Sequence, residues 1–194
     1  MRDTEFMRIG ARLFTEGLVG GNFGNISVRT EGGFYITRNG SYLDDPGNPV
    51  FVPLEGPAPP EASSEYRVHR QVYRSTRHNA LIHAHPPFTV AASLVYDEIV
   101  PVDIEGQTFC PIIPVVDGKP GSEEIARNVA NALCLSLVTV VKGHGTFASG
   151  KSLDEAFILT SLAEHSSHVL WLVGDLQRDT REDRSLRYAG TEDD

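Results

Sequence analysis

The chain has 194 residues, 40% of them hydrophobic and 22% charged, with a formal net charge of −9. That length suits one domain with its own core, and the composition excludes a fibrous or disordered chain. The acidic balance and the absence of Lys/Arg clusters argue against a nucleic-acid partner, and no apolar run approaches the roughly 20 residues that cross a bilayer.

The N-terminal stretch MRDTEFMRIGARLF is charged and amphipathic and lacks the apolar core of a signal peptide, which predicts a cytoplasmic protein. Phe6, Ile9, Leu13 and Leu18 follow helical spacing until the glycines at 17, 20 and 21. NISVRT and GFYIT read as a β-hairpin turning at Glu31, Gly32 and Gly33. Residues 40–61 carry six prolines and predict a long ordered loop, with one short strand at Val50–Val52. Residues 62–76 suit a helix that starts at Ser63 or Ser64 and buries Val68, Val72 and Tyr73. Ala80, Leu81 and Ile82 form a buried strand running into His83, and Pro86 and Pro87 open a helix through Leu94.

Farther on, Phe109–Val116 is strand-like, and residues 122–133 read as a helix capped by Ser122. The β-branched run 135–141 predicts a central, buried strand. Residues 152–173 form the longest helical pattern, opened by a capping box of Ser152 and Glu155. The expected division is a domain over residues 1–174 and a charged, partly disordered C-terminal tail over 175–194. Cys110 and Cys134 sit in apolar stretches and read as buried free thiols of a reducing compartment.

Four short segments concentrate the chemistry. His83-Ala84-His85 ends a strand, where residues two apart share a face and can share a metal. Gly143-His144-Gly145 ends another and offers a third imidazole, and three protein ligands would leave a position open for water or substrate. By spacing alone these histidines equally suit strand-end or core packing. Ser63-Ser64-Glu65 opens a helix, where free N–H groups can hold a phosphate or simply be capped. The turns at residues 20–25 and at Arg38-Asn39-Gly40 present glycine and asparagine to an anion, or are only tight turns. His69, His78, His165 and His168 have no comparable setting and are expected at the surface or in packing roles.

Taken in order, GNFGNISVR, YITRNG, SSEYRVHRQVY, LIHAHPP and KGHGTFASGKSLDEAF resemble the class II aldolase and adducin head-domain family, of which the fuculose-phosphate aldolases are typical. The resemblance spans about residues 5–173. It implies an α/β fold, a three-layer α/β/α sandwich with a mainly antiparallel central sheet, assembled as a homotetramer. It implies zinc, with manganese or cobalt as substitutes, on His83, His85 and His144, and Glu65 as acid/base. A substrate phosphate would lie on Gly24, Asn25, Asn39, Gly40, Ser63 and Ser64. The implied reaction is aldol cleavage of a sugar phosphate such as a ketose 1-phosphate, through a metal-stabilised enediolate, to dihydroxyacetone phosphate and an aldehyde. Relatives of the same fold are epimerases, dehydratases and decarboxylases, and the adducin type is a non-catalytic binding module. The epimerases usually carry aspartate where Glu65 stands. The chain departs from the aldolase pattern at Thr37-Arg38-Asn39-Gly40, where Thr-Pro-Thr-Gly is common, and only Tyr188 offers itself as the tail tyrosine that handles the aldehyde.

Overall fold

The computed structural model describes residues 2–188 of the chain, with side-chain surroundings for residues 4–178. In chain order the elements are α1 (Arg2–Thr15), β1 (Asn25–Thr30), β2 (Gly33–Ile36), β3 (Val50–Pro53), α2 (Tyr66–Ser75), β4 (Ala80–Ala84) and α3 (Pro87–Ser93). Then follow β5 (Glu98–Ile99), α4 (Ile104–Phe109), β6 (Ile113–Val116), α5 (Glu123–Leu133), β7 (Val138–Val141), β8 (Gly145–Gly150) and α6 (Leu153–Tyr188). The strands form one sheet in the order β3-β2-β1-β4-β8-β7-β6-β5. Every neighbouring pair is antiparallel except β6 with β7.

Strand alternation divides the core between two faces. Leu81, Phe147, Phe34 and Ile36 point to one side and are buried under Val68, Val72, Val129 and Leu133 of α2 and α5. Ile26, Ala80, Ile82 and Ala84 point to the other, against Phe6, Ile9 and Leu13 of α1 and Leu153 and Phe157 of α6. A further cluster on that second side joins Val138, Val140 and Ala148 to Leu159 and Ala163 of α6. The result is the expected α/β/α sandwich with a mainly antiparallel sheet. No helix among the described residues is long and apolar enough to cross a membrane.

Five local expectations need correction. Phe109 ends a short helix and the strand begins only at Ile113, because Asp103 caps that helix by accepting from the Gly106 N–H at 2.7 Å. Strand β8 is not evident from residue order: Gly145, Ala148, Ser149 and Gly150 carry little β-propensity, yet all six of its residues are buried between β4 and β7. Helix α2 starts at Tyr66, not at the serines, and the Ser63 hydroxyl accepts from the Glu65 N–H instead. Cys134, just past α5, is exposed, whereas Cys110 is buried. Helix α6 does not stop at Gly174 but continues to Tyr188. An interior glycine costs a helix only about 1 kcal/mol relative to alanine, and Asp175 pairs with Arg178 one turn on, at 3.1 Å. Tyr188 is therefore the last helical residue, its side chain outside the described residues, as are residues 189–194.

Candidate metal centre and active site

His83 lies in β4 opposite Asn25 of β1 and Phe147 of β8, and its ring stacks on Phe147 at 4.3 Å between centroids. The two-residue period sends His83 and His85 to the same side of the sheet, beneath the N-terminal end of α2. Just past the strand, the His85 N–H donates to the carbonyl of Leu18 at 2.8 Å. Pro86 and Pro87 then begin α3 without N–H groups to satisfy. The next two N–H groups, of Phe88 and Thr89, donate to the Glu164 carboxylate of α6 at 3.0 and 2.9 Å, which anchors the segment behind His85.

The third imidazole arrives on the tight turn from β7 to β8. Gly143 has a φ of +66°, a left-handed conformation that favours glycine. Gly145 leaves no room for a side chain, since a Cβ there would lie 2.4 Å from the Ala84 carbonyl oxygen and 2.8 Å from Cε1 of His83. Together these glycines bring His144 to the other two, and one ring nitrogen from each of His83, His85 and His144 falls within a 4.8 Å set.

The carbonyl of Thr146 accepts from Nδ1–H of His83 at 2.9 Å, so the Nε2 lone pair of His83 faces the cavity. That nitrogen sits 2.9 Å from Nε2 of His85 and 3.2 Å from Oε2 of Glu65. Burial, with His144 adding to it, pushes His83 down to about 3. Burial and its two histidine neighbours do the same to His85, also to about 3. Neutral imidazoles therefore turn lone pairs toward a carboxylate, an arrangement that a shared cation satisfies. Oε2 of Glu65 and Nδ1 of His144 are buried without a hydrogen-bond partner, which fits the same need. Glu65 itself is raised by burial, against the opposing pull of His144 and a hydrogen bond from the Asn25 side chain.

All ten residues expected to form the site line one cavity of 210 Å³. Gly24 holds a φ of +84° and packs so closely that a Cβ would stand 2.7 Å from the His83 carbonyl oxygen. The Arg38–Gly40 turn is drawn to the serines by backbone bonds: Asn39 N–H donates to the Glu61 carbonyl at 2.9 Å and Ser63 N–H to the Thr37 carbonyl at 3.1 Å. Glu65, at the N-cap of α2, completes the wall.

Several residues in and around this site were not singled out from sequence. Phe23 stacks on His85 at 5.5 Å and lines the cavity with Pro120, beside Arg38 of the turn that the sequence does mark. His69 is fully buried and hydrogen-bonded at both ring nitrogens, to Ser27 and Asn25. A signal for it existed, because Glu65, His69 and Tyr73 recur every fourth residue and so share one helix face. Among the other histidines, His78 hydrogen-bonds with the Leu133 carbonyl, His165 is exposed, and His168 stacks on Phe88 at 3.8 Å.

Residues 4–171 match the family described as Class II Aldolase and Adducin N-terminal domain. The L-fuculose phosphate aldolase of Methanococcus vannielii is 31% identical over 165 residues, covering 82% of this chain and 90% of that protein. The 3-oxo-tetronate 4-phosphate decarboxylase of Escherichia coli K12 is 26% identical, covering 95% of this chain and 89% of that protein. The crystal structure of L-fuculose-1-phosphate aldolase from Thermus thermophilus superposes with a TM-score of 0.87 at 40% identity, covering 90% of this chain and 95% of that one. Sequence over most of the length, sheet topology and a clustered histidine set thus agree, and the chain belongs to the class II aldolase and adducin family.

Proposed function

We propose that the protein is a zinc-dependent aldolase that cleaves a ketose 1-phosphate into dihydroxyacetone phosphate and an aldehyde. The observation that carries this reading is the convergence of three imidazoles, a buried carboxylate and a ring of small polar residues on one cavity. His83, His85 and His144 would hold the ion, for which manganese or cobalt could substitute. Bound there, it supplies Lewis acidity toward the carbonyl and neighbouring hydroxyl oxygens of the substrate.

The remaining work falls to side chains of this chain. The substrate phosphate is received by the backbone of Gly24 and Gly40, the amides of Asn25 and Asn39, and the hydroxyls of Ser63 and Ser64, close to the N-terminal end of α2. Arg38 at the rim adds a positive charge to a protein that is negative overall. The bond that breaks joins the carbon next to the carbonyl to the hydroxyl-bearing carbon beyond it. That hydroxyl gives up its proton as it becomes the aldehyde, the electron pair stays with the phosphorylated fragment, and the carbon next to the carbonyl gains a proton. Glu65 delivers it; burial raises its pKa, which suits a carboxyl group that takes and returns protons. Phe23, stacked on His85, shields that side of the cavity from water.

Decarboxylation is the second reading, favoured by the Escherichia coli relative that covers 95% of this chain. It too leaves an electron pair next to a carbonyl, so the same residues would serve, as they would for epimerase or dehydratase chemistry. An adducin-like scaffold would have no use for the four clustered metal and proton-transfer residues. We read the working unit as residues 1–174 and the assembly as a homotetramer in the cytoplasm. Exposed Val95, Ile104, Phe109, Leu135 and Trp171 are apolar surface that subunit contacts would cover. The two free cysteines suit a reducing compartment.

Metal content by elemental analysis, on the preparation used for a cleavage assay over a panel of ketose 1-phosphates, tests the proposal. One zinc per chain with chelator-sensitive release of dihydroxyacetone phosphate is the expected result. Zinc without cleavage would move the activity to the decarboxylase, epimerase or dehydratase class, and a metal-free protein of normal stability would point to a scaffold.

A further inference from the structure

Behind the cavity, Glu65, His69 and Tyr73 face Asn25, Ser27 and Arg29, which alternate along β1 on the same side of the sheet. His69 is fully buried there. Its Nε2 hydrogen-bonds with Oδ1 of Asn25 at 2.5 Å, and its Nδ1 with the Ser27 hydroxyl at 2.6 Å. The Ser27 hydroxyl in turn lies 2.7 Å from the Tyr73 hydroxyl. The Arg29 guanidinium covers the Tyr73 ring at 4.7 Å and donates to the Tyr73 backbone carbonyl, closing the far end.

The direction of this chain follows from the chemistry of its members. An amide oxygen only accepts, so Nε2 of His69 must carry a hydrogen. Burial, reinforced by His83, holds His69 far below the usual histidine range, so the ring has a single hydrogen and Nδ1 is an acceptor. Ser27 must then donate to Nδ1, which leaves its oxygen to accept from Tyr73. Burial raises the Tyr73 phenol, so it keeps its proton to give. The donors run one way, from Tyr73 to Ser27 to His69 to Asn25.

We propose that His69 is a positioning residue which, as the neutral Nε2–H tautomer, locks the Asn25 amide with its oxygen inward and its NH2 group toward the cavity. A flipped amide would set two donors against each other, or, if the ring changed tautomer and the relay reversed, would turn its oxygen onto the Glu65 carboxylate to which the Asn25 side chain hydrogen-bonds. An unsatisfied buried donor alone costs about 1–3 kcal/mol. With the flip forbidden, the NH2 group is offered to the Glu65 carboxylate and to an anion in the cavity. The anion's identity as a substrate phosphate rests on the aldolase reading; the locking of Asn25 does not.

Two measurements test this. Long-range 1H–15N NMR on the wild-type protein, with the His69 signals assigned by their loss in His69→Gln, should show the Nε2–H tautomer; an Nδ1–H tautomer would overturn the proposal. Calorimetric titration of the metal-loaded protein with inorganic phosphate should give an affinity that falls roughly tenfold in His69→Leu, equivalent to about 1.4 kcal/mol. In His69→Gln, whose amide N–H still donates to Asn25, most of that affinity should return. Equal affinity in wild type and His69→Leu, including none in either, would overturn the proposal, as would a glutamine variant no better than leucine. Should His69→Leu fail to fold, the wild-type tautomer and the ratio of His69→Gln to wild type decide the matter. A correct tautomer and intact phosphate binding without cleavage of any ketose 1-phosphate would refute the aldolase reading and leave His69 in its role.

Discussion

At His83 a lone pair, a second imidazole nitrogen and a carboxylate oxygen meet within 3.2 Å in a buried place. Removing the ring by His83→Ala should abolish metal binding and activity together, because only two of the three histidine ligands would remain. Glu65→Gln should separate the two effects. The amide keeps the shape of the pocket but cannot shuttle a proton, so bound metal should persist while kcat falls about 100- to 10,000-fold. Full activity in that variant would assign the proton transfer to another group. Gly145→Ala tests the packing that gathers the ligands. Its Cβ would press on the Ala84 backbone and on the His83 ring, so metal affinity in a chelator competition should drop even where the fold survives; an unchanged affinity would mean that the strands yield without moving the imidazoles.

Among the elements, β8 and α6 carry the most consequence. Strand β8 separates β4 from β7, and its small residues let α6 approach: a Cβ on Gly150 would come within 3.0 Å of the Ala156 nitrogen. Helix α6 in turn holds α3 through Glu164, so the element following His85 is fixed from the opposite face of the sheet. Gly174 lies inside this helix without a left-handed φ, and nothing stands within 4 Å of where its Cβ would be. Gly174→Ala should therefore stabilise the protein by up to about 1 kcal/mol. In a chain of this size that is a rise of about 2–4 °C in Tm by calorimetry. A fall in Tm would mean that Gly174 meets a neighbour in the assembled protein.

For the molecule as a whole, buried neutral histidines set the response to acid. His69, His83 and His85 are all pushed down by burial, whereas in the unfolded chain histidine titrates near 6.5. Below about pH 6.5 the unfolded chain thus binds protons that the folded one refuses, so this stability is present above that pH and drains away as pH falls. For His83 and His85 the window runs down to about 3. Glu65, raised by burial, works in the opposite sense nearer the carboxylate range. Denaturant midpoints of the metal-free protein should therefore be lower at pH 5.5 than at pH 7.5, and His69→Gln should shrink the difference. An unchanged difference in that variant would exclude His69 from the acid response.

Much of what depends on neighbours in the chain could be read from residue order alone, the Asp103 cap and the start of α2 being exceptions. The alternation in NISVRT and GFYIT, the Ser122 cap and the two-residue step of His83-Ala84-His85 dictate backbone angles and facing directions within a few residues. The family resemblance extended this to the three-layer fold and to the residues to look for at the site. Tertiary structure alone decided what those segments meet. Strand order puts Asn25 opposite His83, the β7–β8 turn carries His144 back to the other imidazoles, and α2 lowers His69 onto Ser27 and Asn25. Strand β8 owes its burial to position, not propensity, and α6 passes Gly174 because the cost of one glycine is small beside the packing of a long helix. Local pattern specifies angle and face; which faces meet depends on contacts between residues far apart in the chain, and that is where the site is made.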